Sequence, residues 1–197
     1  MAYTKNLTGL RPAGGHGPGG GFREHRVGAF TSLTMGYGTM MKIAPTGVMI
    51  PVAASTDTPA GVAVGFRYND SVTKKVVHAK FIVSGTSSAP DPTTGESMIF
   101  VQVVDGEDAR FVIQADATIS VGDINFHYSV TGNASVDSNT GYSLGGLTVA
   151  SRSSAIADKT LRLVGIVNDG ENKSGDAAPL CLVEFARHRR SAAVSLS

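Results

Sequence analysis

Tryptophan is absent from the 197 residues, aromatic side chains make up 7%, and there is one cysteine. A lone thiol excludes an intrachain disulfide and suits synthesis in a reducing compartment. Cys181 lies in the apolar run Pro179-Leu180-Cys181-Leu182-Val183, where a small buried hydrophobe is expected rather than a nucleophile. With so few rings, the core must be filled by Val, Ile, Leu and Ala. Charge is scarce as well: 17% of residues are charged, against about 25% in an average soluble domain. The 17 basic and 16 acidic residues leave a net charge of +1, so no bulk field would draw nucleic acid or an anionic membrane. A Gly-rich surface with little charge is what results when much of it meets other protein, and equally in a β protein with large loops. No apolar run approaches the roughly 18 residues that span a bilayer. The N-terminus lacks the basic, apolar and small-residue order of a signal peptide. A soluble chain that stays where it is made is expected.

Long helices are missing too. No apolar repeat at helical spacing persists beyond about three turns, and turn signals recur about every ten residues. The expected fold class is all-β, a single barrel- or sandwich-like domain over residues 22–190. An extended Gly-rich N-terminal arm, residues 1–21, precedes it, and a short tail, residues 191–197, follows. The arm ends in Gly14-Gly15-His16-Gly17-Pro18-Gly19-Gly20-Gly21 and carries Lys5 and Arg11 with no acid before Glu24. Such a segment cannot offset its own ordering entropy, so it either stays loose or lies along a partner and orders there.

The richest β signal lies in residues 98–117. Two runs of Val, Ile and Phe flank Asp105-Gly106-Glu107-Asp108, the pattern of a hairpin whose second arm puts Phe111 and Ile113 on the core face and Val112 and Gln114 on a partly wet one. Residues 40–52 predict two strands joined at Pro45-Thr46-Gly47, with Pro51 at a sheet edge. Gly61-Val62-Ala63-Val64-Gly65-Phe66-Arg67-Tyr68-Asn69 predicts a strand bulged near Gly65, turning at Asn69-Asp70-Ser71 into a returning strand over 74–83. Residues 131–154, rich in Gly, Ser, Asn and Thr, suit a long loop or short irregular strands. One helical turn fits 155–160, and the last two strands fall in 161–168 and 178–187.

Chemistry-bearing patterns are few. Gly15-His16-Gly17-Pro18-Gly19-Gly20 has the spacing of a dinucleotide fingerprint but ends a loose arm with no βαβ unit after it, so a hinge is the better reading. Gly141-Tyr142-Ser143-Leu144-Gly145 has the spacing of a nucleophile elbow, which works only on a strand-to-helix turn in an α/β sheet. The histidines, His16, His25, His78, His127 and His188, are scattered, with no metal-ligand spacing. Asp105, Glu107 and Asp108 lack the spacing of a calcium loop. Arg187-His188-Arg189-Arg190 is a short basic end without stacking aromatics, weak as a nucleic-acid site. No catalytic set, cofactor or metal is expected, and the chain reads as a non-enzyme.

Four pieces, in order, carry a resemblance: Gly61-Val62-Ala63-Val64-Gly65-Phe66-Arg67-Tyr68, then residues 108–117 with Phe111, Gln114 and Ala115, then Leu161-Arg162-Leu163-Val164-Gly165-Ile166-Val167, then Leu180-Cys181-Leu182-Val183-Glu184-Phe185. Over residues 61–188 the sequence resembles the head decoration, or capsid cement, proteins of tailed bacteriophages. That family runs from a Gly-rich strand with a late Tyr through a Phe-x-x-Gln-Ala hairpin and a Gly/Ser/Asn-rich stretch to two closing strands. The resemblance implies a structural virion protein, made in the host cytoplasm and bound to the outer surface of the capsid, where it clamps adjacent copies of the major capsid protein. It also implies self-association, a homotrimer favoured over a dimer, with neither nucleic acid nor membrane as partner. The arm residues that would make such contacts are Lys5, Leu7, Leu10, Arg11, Phe22 and Arg23. On this expectation, removing residues 1–21 leaves a folded body that binds shells less tightly. The alternative is a β-sandwich carbohydrate- or receptor-binding module, for which aromatic residues are thin. A small hydrolase built on Ser143 is the third.

Overall fold

The computed structural model describes residues 9–13, 22–27, 34–83, 86, 88, 90, 98–106, 108–156, 159–168 and 172–187. The strands are β1 (Arg11–Pro12), β2 (Phe22–Arg26), β3 (Met35–Gly36), β4 (Met40–Ile43), β5 (Met49–Pro51), β6 (Gly61–Asn69), β7 (Val76–Ala79) and β8 (Phe81–Ile82). They continue with β9 (Ile99–Val104), β10 (Arg110–Gln114), β11 (His127–Thr131), β12 (Gly146–Ser153), β13 (Leu161–Ile166) and β14 (Leu180–Phe185). Three antiparallel sheets result. Sheet I has the order β1-β10-β14-β13-β11-β12, sheet II the order β2-β9-β6-β4-β5 with β7 also on β6, and β3 pairs β8 in a ribbon. The arrangement is sandwich-like and not a closed barrel. Sheet I curls until Ala115 meets Leu147 in one parallel bridge, and Asp116 N–H donates to the Leu147 carbonyl at 3.0 Å. No ladder follows that bridge, so the curl stops short of closure.

Sheet II is apolar on both sides, which gives the molecule two cores. Val62, Val104, Met40 and Val52 pack with Phe111, Ile113, Tyr128, Leu147, Leu161 and Val183 of sheet I. Ala63, Phe66, Ile99, Val101 and Val103 face the other way, onto Met35 and Ile82 of the ribbon. Successive residues of a strand point to opposite faces, so Val103 and Val104 serve different cores.

The expected hairpin over residues 98–117 is not one. β9 pairs β2 and β6 in sheet II, whereas β10 pairs β1 and β14 in sheet I. The chain crosses between layers at the acidic turn, so Val104 and Phe111 meet across the first core rather than side by side in one sheet. Gln114 is also corrected, being buried, with its Nε2 donating to the Ala178 carbonyl at 3.2 Å. That bond satisfies the amide nitrogen, while Oε1 is buried without a partner among the described residues.

The hairpin of β4 and β5 turns at Gly47, whose φ of +82° suits glycine, and Pro51 lies on an outer strand as expected. Pairing of β6 with β9 slips between Ala63 and Gly65, the expected bulge. The returning strand over 74–83 breaks at Lys80 into β7, on β6, and β8, on β3. Within 131–154, where a loop or irregular strands are expected, residues 146–153 form the edge strand β12, anchored by buried Leu147, and its pairing with β11 shifts register between His127 and Ser129. The turn expected over 155–160 includes 157–158, outside the described residues.

Part of the expected arm belongs to the body. Leu10 is 1% exposed in the first core, its N–H donates to the Gly38 carbonyl at 3.1 Å, and Arg11 and Pro12 pair with Val112 and Phe111. Gly9 holds φ +64°, and a Cβ there would stand 2.8 Å from Ser143 Cβ. One leucine with a cavity to fill outweighs the entropy of fixing a few residues.

The layers are also pinned by a polar contact. Asn133, 7% exposed, accepts from Met40 N–H at 2.7 Å through Oδ1 and donates from Nδ2 to the Met40 and Val52 carbonyls, each at 2.9 Å. Tyr128 is the opposite case: its hydroxyl is buried with no hydrogen-bond partner among the described residues, and burial pushes its pKa up to about 12.

Leu10→Ala is expected to destabilise the protein by about 2–5 kcal/mol in denaturant titration; an unchanged midpoint would return Leu10 to a loose arm. Tyr128→Phe is expected to leave the midpoint unchanged or raise it, because it removes a polar atom that gains nothing inside.

Candidate interaction surface

Cross-strand partners share a face, and the register of sheet II lines up Phe22, Glu24 and Arg26 of β2 with Val104, Gln102 and Phe100 of β9. On the same face follow Val62, Gly65 and Arg67 of β6, then His78 and Val76 of β7. At the Val62–Val104 end this face is covered by sheet I. Towards Phe100 it runs on without that cover: Gln102, Phe100 and Arg67 are half-buried, while Glu24, His78 and Val76 are exposed. Phe22 is 57% exposed on the outer strand β2 and Val76 54% exposed on the outer strand β7.

Between these apolar ends the face is preset. Arg67 Nε donates to Glu24 Oε2 at 3.0 Å and Nη2 donates to Oε1, a two-point clasp across β9. The guanidinium carbon stands 4.7 Å from the centre of the Phe100 ring. A planar cation held by a carboxylate and stacked on a ring gives up little further freedom when a partner covers it. The hydrogen bond from Arg67 holds the Glu24 carboxyl below its ordinary range, and the same bond raises the Arg67 pKa. With that pair neutralised, the middle of the face suits a partner of low charge.

The six residues expected to contact a partner separate. Lys5 and Leu7 lie outside the described residues. Leu10 is in the core, and Arg11 lies half-buried on β1, the outer strand of sheet I. Phe22 and Arg23 are neighbours on β2, the outer strand of sheet II, with side chains on opposite faces; Arg23 Nε lies 3.4 Å from Asp105 Oδ2. Of the six, Phe22 shares the face of Phe100 and Arg67, in the row of Val104 at the border of the covered part. Sequence reasoning missed Glu24, Arg67, Phe100, Gln102, His78 and Val76. The available signal was charge inside strands, Glu24 at the period of Phe22 and Arg67 beside Tyr68, but without strand neighbours it named no surface.

The remaining motifs are structural where described. Ser143 is fully buried, its Oγ donates to the Asn133 carbonyl at 2.9 Å, and its own N–H donates to Tyr37, so it stands on a β-bridge and not on a strand-to-helix turn. Cys181 is buried in the first core and its thiol is pushed up to about 12 by burial. Among the described residues no three His, Cys, Asp or Glu side chains converge as metal ligands, and no helix is long and apolar enough to cross a membrane. Arg187 Nη2 donates to the Ser55 carbonyl at 3.3 Å. Residues 14–21, Glu107 and 188–190 lie outside the described residues.

Comparison of the chain with models of known protein families, with curated proteins and with solved structures finds no match.

Glu24 has its pKa depressed by folding, so the clasp is complete above its ordinary value of 4.5 and is lost as pH falls through the lower folded value. NMR of the Arg67 Nε–H is expected to show a bonded, slowly exchanging signal near neutrality that moves to free-arginine behaviour in acid, and Glu24→Gln is expected to give the acid spectrum at every pH. Because the pair is partly exposed, its effect on global stability is expected to stay within about 1 kcal/mol. Cys181 is expected to resist alkylation by iodoacetamide at mildly alkaline pH until denaturant unfolds the first core.

Proposed function

We propose that this chain is a structural virion protein that binds the outer surface of a tailed-bacteriophage capsid and clamps adjacent copies of the major capsid protein, using the open end of sheet II as its docking face. The observation that carries the reading is that overhang: a preordered β face whose Glu24–Arg67 pair is satisfied internally, with Val76 exposed at its far flank and Phe22 exposed beside Val104, where the cover of sheet I ends. The order of the four pieces resembling decoration proteins supports it, and they fall on β6, β10, β13 and β14.

A brace needs contact area and stiffness more than reactive groups. A weak contact to each of several subunits becomes tight when all engage together, since each later one is effectively intramolecular. Copies gathered on a local symmetry axis extend the same gain, which favours a homotrimer. Removal of residues 1–21 is a poor test of any clamping arm, because it also deletes β1 and Leu10 from the body.

Shells assembled without the protein, mixed with the purified chain, are expected to bind it in a saturable, symmetric fashion. Phe22→Ser combined with Val76→Asp is expected to weaken that binding at least about tenfold, the loss of two anchors at a buried patch. Val72→Asp, 85% exposed on the turn after β6, is the control expected to leave it unchanged. A reconstruction placing the chain inside the particle, or binding untouched by the double variant, would overturn the proposal.

A further inference from the structure

The outer edge of β7 is open. In antiparallel pairing alternate residues turn both main-chain groups towards the neighbouring strand, and those between turn them away. Asp70 N–H donates to the Lys75 carbonyl at 2.9 Å, so Val77 and Ala79 continue the set bonded to β6, and the N–H and C=O groups of Val76 and His78 point outward. Two residues beyond His78 the Lys80 carbonyl also points outward, and there it accepts from Tyr37 N–H at 3.0 Å, beside the ribbon of β3 and β8. The next donor, Gly38 N–H, turns away to the Ala63 carbonyl. The ladder that β3 starts along this edge therefore stops at Lys80, and no strand among the described residues takes up Val76 and His78. Both residues are exposed.

The edge is also charged. Lys74, Lys75 and Lys80 flank the open residues, and all three are exposed. Among the described residues none of their ammonium groups meets a carboxylate: Lys74 Nζ donates to the Ser71 carbonyl at 2.6 Å, and Lys80 Nζ stands 3.4 Å from the centre of the Tyr142 ring. Nearby acids are engaged elsewhere. Asp70 accepts from the N–H groups of Val72 and Thr73, at 3.0 and 2.6 Å, and Glu24 is held by Arg67.

A row of free main-chain donors and acceptors is a template for one more strand. Lysines on such an edge guard it against its own copies: pairing β7 with β7 through both outward residues sets Lys74 opposite Lys80, like charges across a ladder. An extended segment with carboxylates at its ends meets opposite charge there instead, and apolar residues between them lie beside Val76. We propose that β7 accepts an extended acidic segment of another protein as an added antiparallel strand of sheet II, in line with β3. The inference does not rest on the capsid reading and is tested without shells.

The test is NMR titration of the full-length chain with a short peptide of alternating valine and threonine that carries glutamates at both ends. Two controls accompany it, the same peptide with lysines for glutamates and a fully N-methylated form that keeps the charge but has no N–H groups. Amide exchange at Val76 and His78 is expected to slow on binding, while Val77, already bonded to β6, stays unchanged. The acidic peptide is expected to bind about tenfold more tightly than the lysine peptide, and Lys74→Glu combined with Lys75→Glu to reverse that preference. His78→Pro removes an N–H that no strand of this chain uses, so it is expected to leave the protein folded with a melting temperature close to the parent's and to abolish binding. Unchanged exchange at Val76 and His78 with the acidic peptide, equal binding of either control, or full binding by folded His78→Pro would each overturn the proposal. Protection of Val76 and His78 that grows with protein concentration alone would also overturn it, assigning the edge to a second copy.

Discussion

One side-chain amide joins the layers of this molecule. Two sheets that share no ladder hold together through apolar contact, which is strong but indifferent to direction. Asn133 adds the direction: three hydrogen bonds to the backbone of Met40 and Val52, residues 93 and 81 positions away in sequence, lock the start of β4 and the end of the β4–β5 hairpin against the segment after β11. The amide is buried and uses donor and acceptor together. With the Leu10 N–H bond to Gly38, it sets how sheet I seats on one end of sheet II.

From that seating comes the asymmetry of the surface. Sheet I covers sheet II around Val62 and Val104 and leaves the Phe100 and Arg67 end uncovered. The uncovered end is not left with bare charge, because the Glu24–Arg67 clasp and the Phe100 ring satisfy one another. A low-charge, preordered β face is what a scaffold needs against protein.

The reach of the sequence can be judged at individual residues. Val, Ile and Phe at a period of two were enough to place β6, β9, β10, β13 and β14, because that alternation reflects local pleat geometry. The bulge near Gly65, the turn at Gly47 and the outer position of Pro51 were equally legible, since Gly and Pro act on their own backbone. Partners were not. Residues 98–117 carry every local sign of a hairpin, yet β9 and β10 lie in different sheets, and nothing in the stretch says which way the chain leaves its turn. Residues 9–13 read as part of a loose arm because one leucine among Gly and Pro gives no pattern. Arg67 and Phe100 were visible as a charge and a ring but not as a stacked pair.

The sequence by itself determined an all-β chain, most of its strands, and a buried, unreactive Cys181, all consequences of residue type and spacing along a few neighbouring positions. Only the tertiary structure decided which strands pair, that Leu10 belongs to the core, that Gln114 is buried, and that Glu24, Arg67 and Phe100 make one surface. The reason is range: pleat and turn are set within a few bonds, whereas register, layer crossing and the meeting of distant side chains are settled by the packing of the whole chain at once.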